Sequence, residues 1–112
     1  RPPRSTLFPY TTLFRSAIEL KPENGFIRDS LGWVFFRLGK LDQAVKELEI
    51  AVRLSPDDAG ILDHLGDAYL ENGRARDALQ TYKKALKHAS EDGQEKNRIQ
   101  EKIRILEKQG TY

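Results

Sequence analysis

Sliding the sequence against itself by 34 residues brings like residues onto like. Ile27, Leu31, Gly32, Phe35 and Gly39 fall on Ile61, Leu65, Gly66, Tyr69 and Gly73, and Ala44, Leu48 and Ala51 fall on Ala78, Tyr82 and Ala85. A period of this length means one supersecondary unit used repeatedly, each burying its apolar face against the next. The small residues have packing reasons. Gly32 is expected to face Ala44, and Gly66 to face Ala78, across pairs of antiparallel helices. Leu31, Phe35 and Leu48 then fill the layer in the first unit, as Leu65, Tyr69 and Tyr82 do in the second. Gly39 and Gly73 suit the left-handed position that ends a helix. Pro56 is excluded from a helix interior, and with Asp57 and Asp58 it sets up the next helix start. The spacing predicts helices at about 25–38, 41–54, 59–72 and 75–88.

The pattern L-G-x-x-F/Y, then A-x-x-x-L/Y-x-x-A, closed by Pro56, resembles the tetratricopeptide repeat. The resemblance implies an all-α fold: helix-turn-helix repeats in a right-handed superhelix (an α-solenoid) with a C-terminal capping helix. It places one repeat at 25–58 and a second at 59–92, with the capping helix and tail at 93–112. Ile99, Ile103 and Leu106 lie on one face at helical spacing, while Glu95, Lys96, Gln100, Glu101 and Lys102 cover the rest. They predict an amphipathic helix to about 108, similar to the polar-faced helix that closes such arrays.

The register also runs outward. Ala17, Leu20 and Pro22 stand 34 residues before Ala51, Leu54 and Pro56, so 17–24 is expected to be the tail of a truncated preceding repeat. Before it, Thr6 to Ser16 reads TLFPYTTLFRS, identical to the translation of a widely used short-read sequencing adapter in its open frame. Residues 1–16 are therefore read as foreign and kept out of functional reasoning. A helix is expected from about 10 to 20, poorly packed at its start because Tyr10 falls where Ala44 and Ala78 require a small side chain. The chain is expected to be the C-terminal end of a longer, bacterial array, reported from assembled metagenomic reads and cut at its N-terminal edge. The compartment stays open between cytoplasm and periplasm, since any signal peptide would have preceded the cut.

Composition narrows the function classes. Without cysteine there is neither a disulfide framework nor a thiolate metal site. No stretch approaches the roughly 20 consecutive apolar residues that span a bilayer. The formal charge is +2, but Arg1, Arg4 and Arg15 belong to the foreign segment. Taking these three from 19 basic residues leaves 16 against 17 acidic ones, a net of −1. A mixed-sign, nearly neutral surface lacks the electrostatic footprint of nucleic-acid binding. His64 and His88 are the only histidines and lie too far apart to build a three- or four-ligand metal site. A carboxylate–imidazole pair of His64 with Asp63 or Asp67 is conceivable, but a solvated groove histidine is favoured. No nucleophile motif or phosphate loop is present, so no enzyme activity, cofactor or metal is expected.

The family's inner surface is lined by the first helix of each pair. The resemblance assigns that face to Phe26, Asp29, Ser30, Trp33, Phe36 and Arg37, then to Asp63, His64, Asp67, Leu70 and Glu71. Trp33 and Phe36 are expected to form an apolar ledge beside Asp63 and Asp67, with the acidic side chains facing solvent. The ligand implied is an extended or helical peptide carrying apolar, and some basic, side chains. Packing of the two aromatics on the preceding repeat fits the pattern equally well. Tetratricopeptide domains that grip a chaperone's C-terminal carboxylate use lysine, asparagine and arginine at set places. Those places hold Asp29, Trp33, His64, Gln94 and Arg98 here; only Arg98 is of the required type, and Asp29 would repel a carboxylate. The expected function is a non-catalytic protein–protein interaction scaffold with a peptide or protein partner. The alternatives are a self-associating structural module, joined through its cut edge, and an accessory docking segment of a larger enzyme.

Overall fold

The computed structural model describes residues 24–91 and 93–110. The adapter-like run, the helix expected over about 10–20 and all but the last residue of the expected repeat tail at 17–24 lie outside the described residues. Among the described residues five helices follow one another: α1 Gly25–Arg37, α2 Leu41–Leu54, α3 Ala59–Glu71, α4 Ala75–His88 and α5 Gln94–Gln109. Among the described residues there is no strand, and no helix is long and apolar enough to cross a membrane. The architecture is an all-α helical repeat solenoid: α1 packs on α2 and α3 on α4, with α2 against α3 and α4 against α5 as the joints.

The helix ends follow from their caps. Asn24 Oδ1 accepts the backbone N–H groups of Phe26 and Ile27 at 2.9 and 3.1 Å. Asp58, 34 positions on, does the same for Ile61 at 3.0 Å. Each satisfies N–H groups that a first helical turn leaves without a partner. Helices α2 and α4 start without a side-chain cap, but carry Asp42 and Asp77 in the first turn, where the helix dipole favours negative charge. At the other ends, Gly39 and Gly73 have φ of 80° and 79°. The Lys40 N–H reaches back to the Phe35 carbonyl at 2.9 Å and that of Arg74 to Tyr69 at 2.8 Å, the Schellman arrangement. Helices α1 and α3 thus end at Arg37 and Glu71, one residue before the expected 38 and 72, because the residue preceding the glycine is the cap rather than the last helical position.

Leu31, Phe35, Ala44, Leu48, Leu65, Tyr69, Ala78 and Tyr82 form one continuous core with Ile99, Ile103 and Leu106 of α5. The glycine contacts differ from the small-on-small expectation. A Cβ on Gly66 would lie 2.4 Å from the Tyr82 ring, and one on Gly32 would lie 2.6 Å from Leu48 Cγ, with the Ala44 carbonyl oxygen at 3.4 Å. Ala44 and Ala78 are fully buried, but the glycines make room for the large side chain one turn beyond them. In α5, Ile99 and Ile103 stand 34 positions after Leu65 and Tyr69 and are buried as those are. At the glycine position of α5 stands the exposed Gln100, so that face of α5 is not shaped for a closely packed partner helix.

Gly66→Ala is expected to lower stability by about 1–3 kcal/mol, because the wholly buried Tyr82 ring has nowhere to retreat. Gly73→Ala, where the added methyl meets nothing within 4 Å, is expected to cost only about 1 kcal/mol of backbone strain. Urea midpoints of the two variants measure the difference, and a wild-type midpoint for Gly66→Ala would refute the close approach.

Candidate functional site

Helices α1, α3 and α5 are the first-type helices of successive units, and polar side chains join them along one seam. Asp29 of α1 meets His64 of α3, with Oδ1 and Nδ1 2.7 Å apart. Asp63 of α3 accepts from Arg98 of α5 at 3.4 Å and from Lys102 Nζ at 2.8 Å. Lys102 also donates to Asp67 Oδ1 at 2.9 Å. Asp29–His64, Asp63–Arg98 and Asp67–Lys102 are each separated by 35 residues, so an acid on one first-type helix meets a base on the next.

The second joint is the more buried. Asp63 is only 3% exposed, a cost that its two cationic partners offset. The Tyr82 hydroxyl donates to Asp67 Oδ1 at 2.5 Å, and Lys102 Nζ sits 5.5 Å from the centre of the Tyr82 ring. Burial, and then the bond to Asp67, pushes the Tyr82 phenol well above its ordinary value. Burial pulls the Lys102 ammonium down, but Asp63 and Asp67 together hold it above the usual lysine value.

The first joint is aromatic. Trp33 stacks on Phe36 at a centroid distance of 4.6 Å and an interplanar angle of 9°, and on His64 at 4.5 Å and 28°. His64 thus touches α1 twice, through the Asp29 carboxylate and the Trp33 ring. The bond to Asp29 raises the His64 pKa above its ordinary value near 6.5, against the opposing effect of burial, with Asp29, Asp63 and Asp67 adding attraction.

Several expectations are corrected here. The acidic residues do not simply face solvent: Asp63 is buried, and Asp29 and Asp67 are half-buried and engaged. His64 pairs with Asp29 rather than with Asp63 or Asp67 of its own helix, since those two are held by α5. The aromatic ledge stacks on His64, and the carboxylates expected beside it, Asp63 and Asp67, are held by α5. Lys102 is not part of a solvated face. Of the remaining candidates, Ser30 is half-buried, Arg37 and Glu71 are exposed, and Phe26 and Leu70 are 61% and 37% exposed. None of these five joins the paired or stacked contacts of the seam. Arg98, the one residue of carboxylate-gripping type, is committed to Asp63. The repeat pattern does not mark Lys102 or Tyr82 as site residues, whereas acid–base pairs at a spacing of 35 point to Lys102.

A cleft of about 390 Å³ opens elsewhere, between α2, α3 and α4, over Val52, Leu62 and Leu65. The Tyr69 hydroxyl donates to Glu49 at 2.6 Å at its edge. No group of three or more His, Asp or Glu side chains among the described residues is placed to hold a metal ion.

The sequence profile described as Tetratricopeptide repeat matches residues 30–93. No curated protein sequence matches the chain. Solved structures share the fold, among them the following three. The type III secretion translocator chaperone SycD of Yersinia enterocolitica is 14% identical with a TM-score of 0.82, over 91% of this chain and 80% of that one. MamA AMB-1 is 29% identical with a TM-score of 0.66, over 70% of this chain and 46% of that one. The first TPR of Spaghetti (RPAP3), bound to the HSP90 peptide SRMEEVD, is 18% identical with a TM-score of 0.74, over 87% and 77%. The match spans less than half the length of MamA.

Lys102→Ala leaves Asp63 with Arg98 alone and is expected to cost about 2–3 kcal/mol, somewhat less than breaking a wholly buried pair. Glu107→Ala, which removes the exposed Lys83–Glu107 pair at 3.2 Å, is expected to cost about 0.5 kcal/mol or less. Equal losses in chemical denaturation would show that the Asp63 contact adds nothing special.

Proposed function

Since this chain belongs to the tetratricopeptide repeat family, we propose that it is a non-catalytic scaffold that holds a peptide segment of a partner protein on the inner surface formed by α1, α3 and α5. In this proposal residues 25–58 and 59–92 act as two repeats, and the segment from 93 onward closes them. The observation that carries it is the cluster of Phe36, Trp33 and His64, a half-buried group of rings at the joint between first-type helices. Leu70, which occupies in α3 the repeat position that Phe36 occupies in α1, offers an exposed apolar side chain at the equivalent place. Aromatic residues that are rigidly held yet still reachable are the usual anchors of protein interfaces.

The charge pattern refines the ligand. Asp29, Asp63 and Asp67 are already paired within the chain, so basic side chains of a partner gain little there. An apolar side chain against the Trp33–Phe36–Leu70 surface is the main contact. The solved complex of the Spaghetti domain with its peptide supports peptide capture by this fold. Of the gripping residues implied for chaperone-tail binding only Arg98 is present, and it is paired with Asp63, which argues for a different peptide class.

Trp33 is the only tryptophan, so its emission reports on the surface directly. Peptides selected by display against the folded chain are expected to change that emission on titration. Trp33→Ala, followed by anisotropy of a labelled selected peptide, is expected to weaken binding by about 2 kcal/mol. Unchanged affinity with a lowered melting temperature would make Trp33 a packing residue. A mass that rises with concentration, without peptide capture, would favour self-association.

A further inference from the structure

The two joints along the seam use the same spacing but different chemistry. Between α3 and α5 the cations are Arg98 and Lys102. Arginine stays protonated at any relevant pH, and Lys102 is held above the ordinary lysine range, so that joint is permanent. Between α1 and α3 the cation is His64, the side chain whose charge changes closest to neutrality. Asp29 faces it from α1. Asp63 and Asp67 lie on its own helix and are bound by Arg98 and Lys102 of α5, while Tyr82 of α4 also bonds Asp67. His64 is stacked on Trp33 as well, so its charge state is felt at the ring proposed to hold a partner.

We propose that the Asp29–His64 pair is a pH-operated tie between α1 and α3 that sets how Trp33 and Phe36 are presented on the inner surface. Protonated His64 gives Asp29 a charge-assisted hydrogen bond at 2.7 Å and neutralises its half-buried carboxylate. Neutral His64 offers at most an uncharged N–H and leaves that carboxylate without a counter-charge. Because the folded-state pKa of His64 is raised, the stabilisation is full below about 6.5 and is lost as pH rises through the folded value. The tie is closed on the acidic side of that value and loosened on the alkaline side, while the α3–α5 joint does not change. The consequence for partner capture rests on the proposed binding surface; the tie itself does not.

Both readouts of the tie are ligand-free. A proton NMR titration of the histidine ring resonances from pH 5 to 9 is expected to place His64 above 6.5, with assignment from His88→Gln. In Asp29→Asn, checked for helix content by circular dichroism, the midpoint is expected to shift to lower pH. Trp33 emission is expected to change with the same midpoint as His64, because a stacked imidazolium quenches indole more than neutral imidazole does, and to lose that transition in His64→Gln. A wild-type His64 midpoint at or below 6.5 overturns the tie, and needs no variant to fold. A midpoint that does not move in Asp29→Asn, or Trp33 emission that ignores pH, overturns it equally. Peptide capture without these transitions would keep the binding surface and remove the tie; the transitions without capture would do the reverse.

Discussion

The arrangement of the seam between α3 and α5 depends on how Tyr82 crosses Gly66. The ring lies where a Cβ on residue 66 would sit, so α3 and α4 approach at a distance that only glycine permits. The same side chain ends in a hydroxyl bonded to Asp67, which fixes that carboxylate for Lys102 of α5. One residue therefore couples the close packing of a helix pair to the polar joint between units. The first pair shows what happens without the hydroxyl. Leu48 crosses Gly32 in the same way but ends in methyl groups. The position matching Asp67 is Trp33, an aromatic that needs no hydroxyl to hold it. Phenol with carboxylate in one unit, and alkyl with indole in the other, are two solutions to the same packing problem. The indole solution is the one that leaves a ring cluster at the joint.

Burial decides how these joints behave. A carboxylate as inaccessible as Asp63 is tolerated only with partners close by, and α5 supplies two. Helix α5 thus neutralises carboxylates of α3 as well as covering apolar surface with Ile99, Ile103 and Leu106. The Asp29–His64 contact is more open, and its strength depends on protonation. The chain thus combines one permanent joint with one adjustable joint.

The fold was legible because repetition is a comparison of like with like. Leu31 with Leu65, Gly32 with Gly66 and Ala51 with Ala85 declare themselves once the sequence is shifted by 34. The helix ends erred by one residue at Leu38 and Asn72 because Gly39 and Gly73 mark the position after the cap. The seam was harder to read for a different reason. Its contacts join unlike residues, acid to base, and run between i and i+35 rather than i and i+34. Matching residues of equal repeat position never sets Asp63 beside Arg98, nor Asp67 beside Lys102. The glycines were found by the repeat, but what filled their space was not. Gly66 and Ala78 are both small, and their joint recurrence suggested a mutual contact when Tyr82 was the occupant.

Internal pairing also changes what the proposed surface can select. With three carboxylates occupied by His64, Arg98 and Lys102, the seam offers a partner few free charges of either sign. Discrimination then falls to the shape around Trp33, Phe36 and Leu70, and to Arg37 and Glu71, both exposed at matching positions of α1 and α3. Residues of opposite sign at equivalent places favour a ligand with its own opposed charges, aligned across the two helices. A peptide fixed only by a terminal carboxylate would find Asp29 where such a ligand needs a donor. In the binding mode proposed here, affinity comes from an apolar anchor and orientation from a pair of flanking charges.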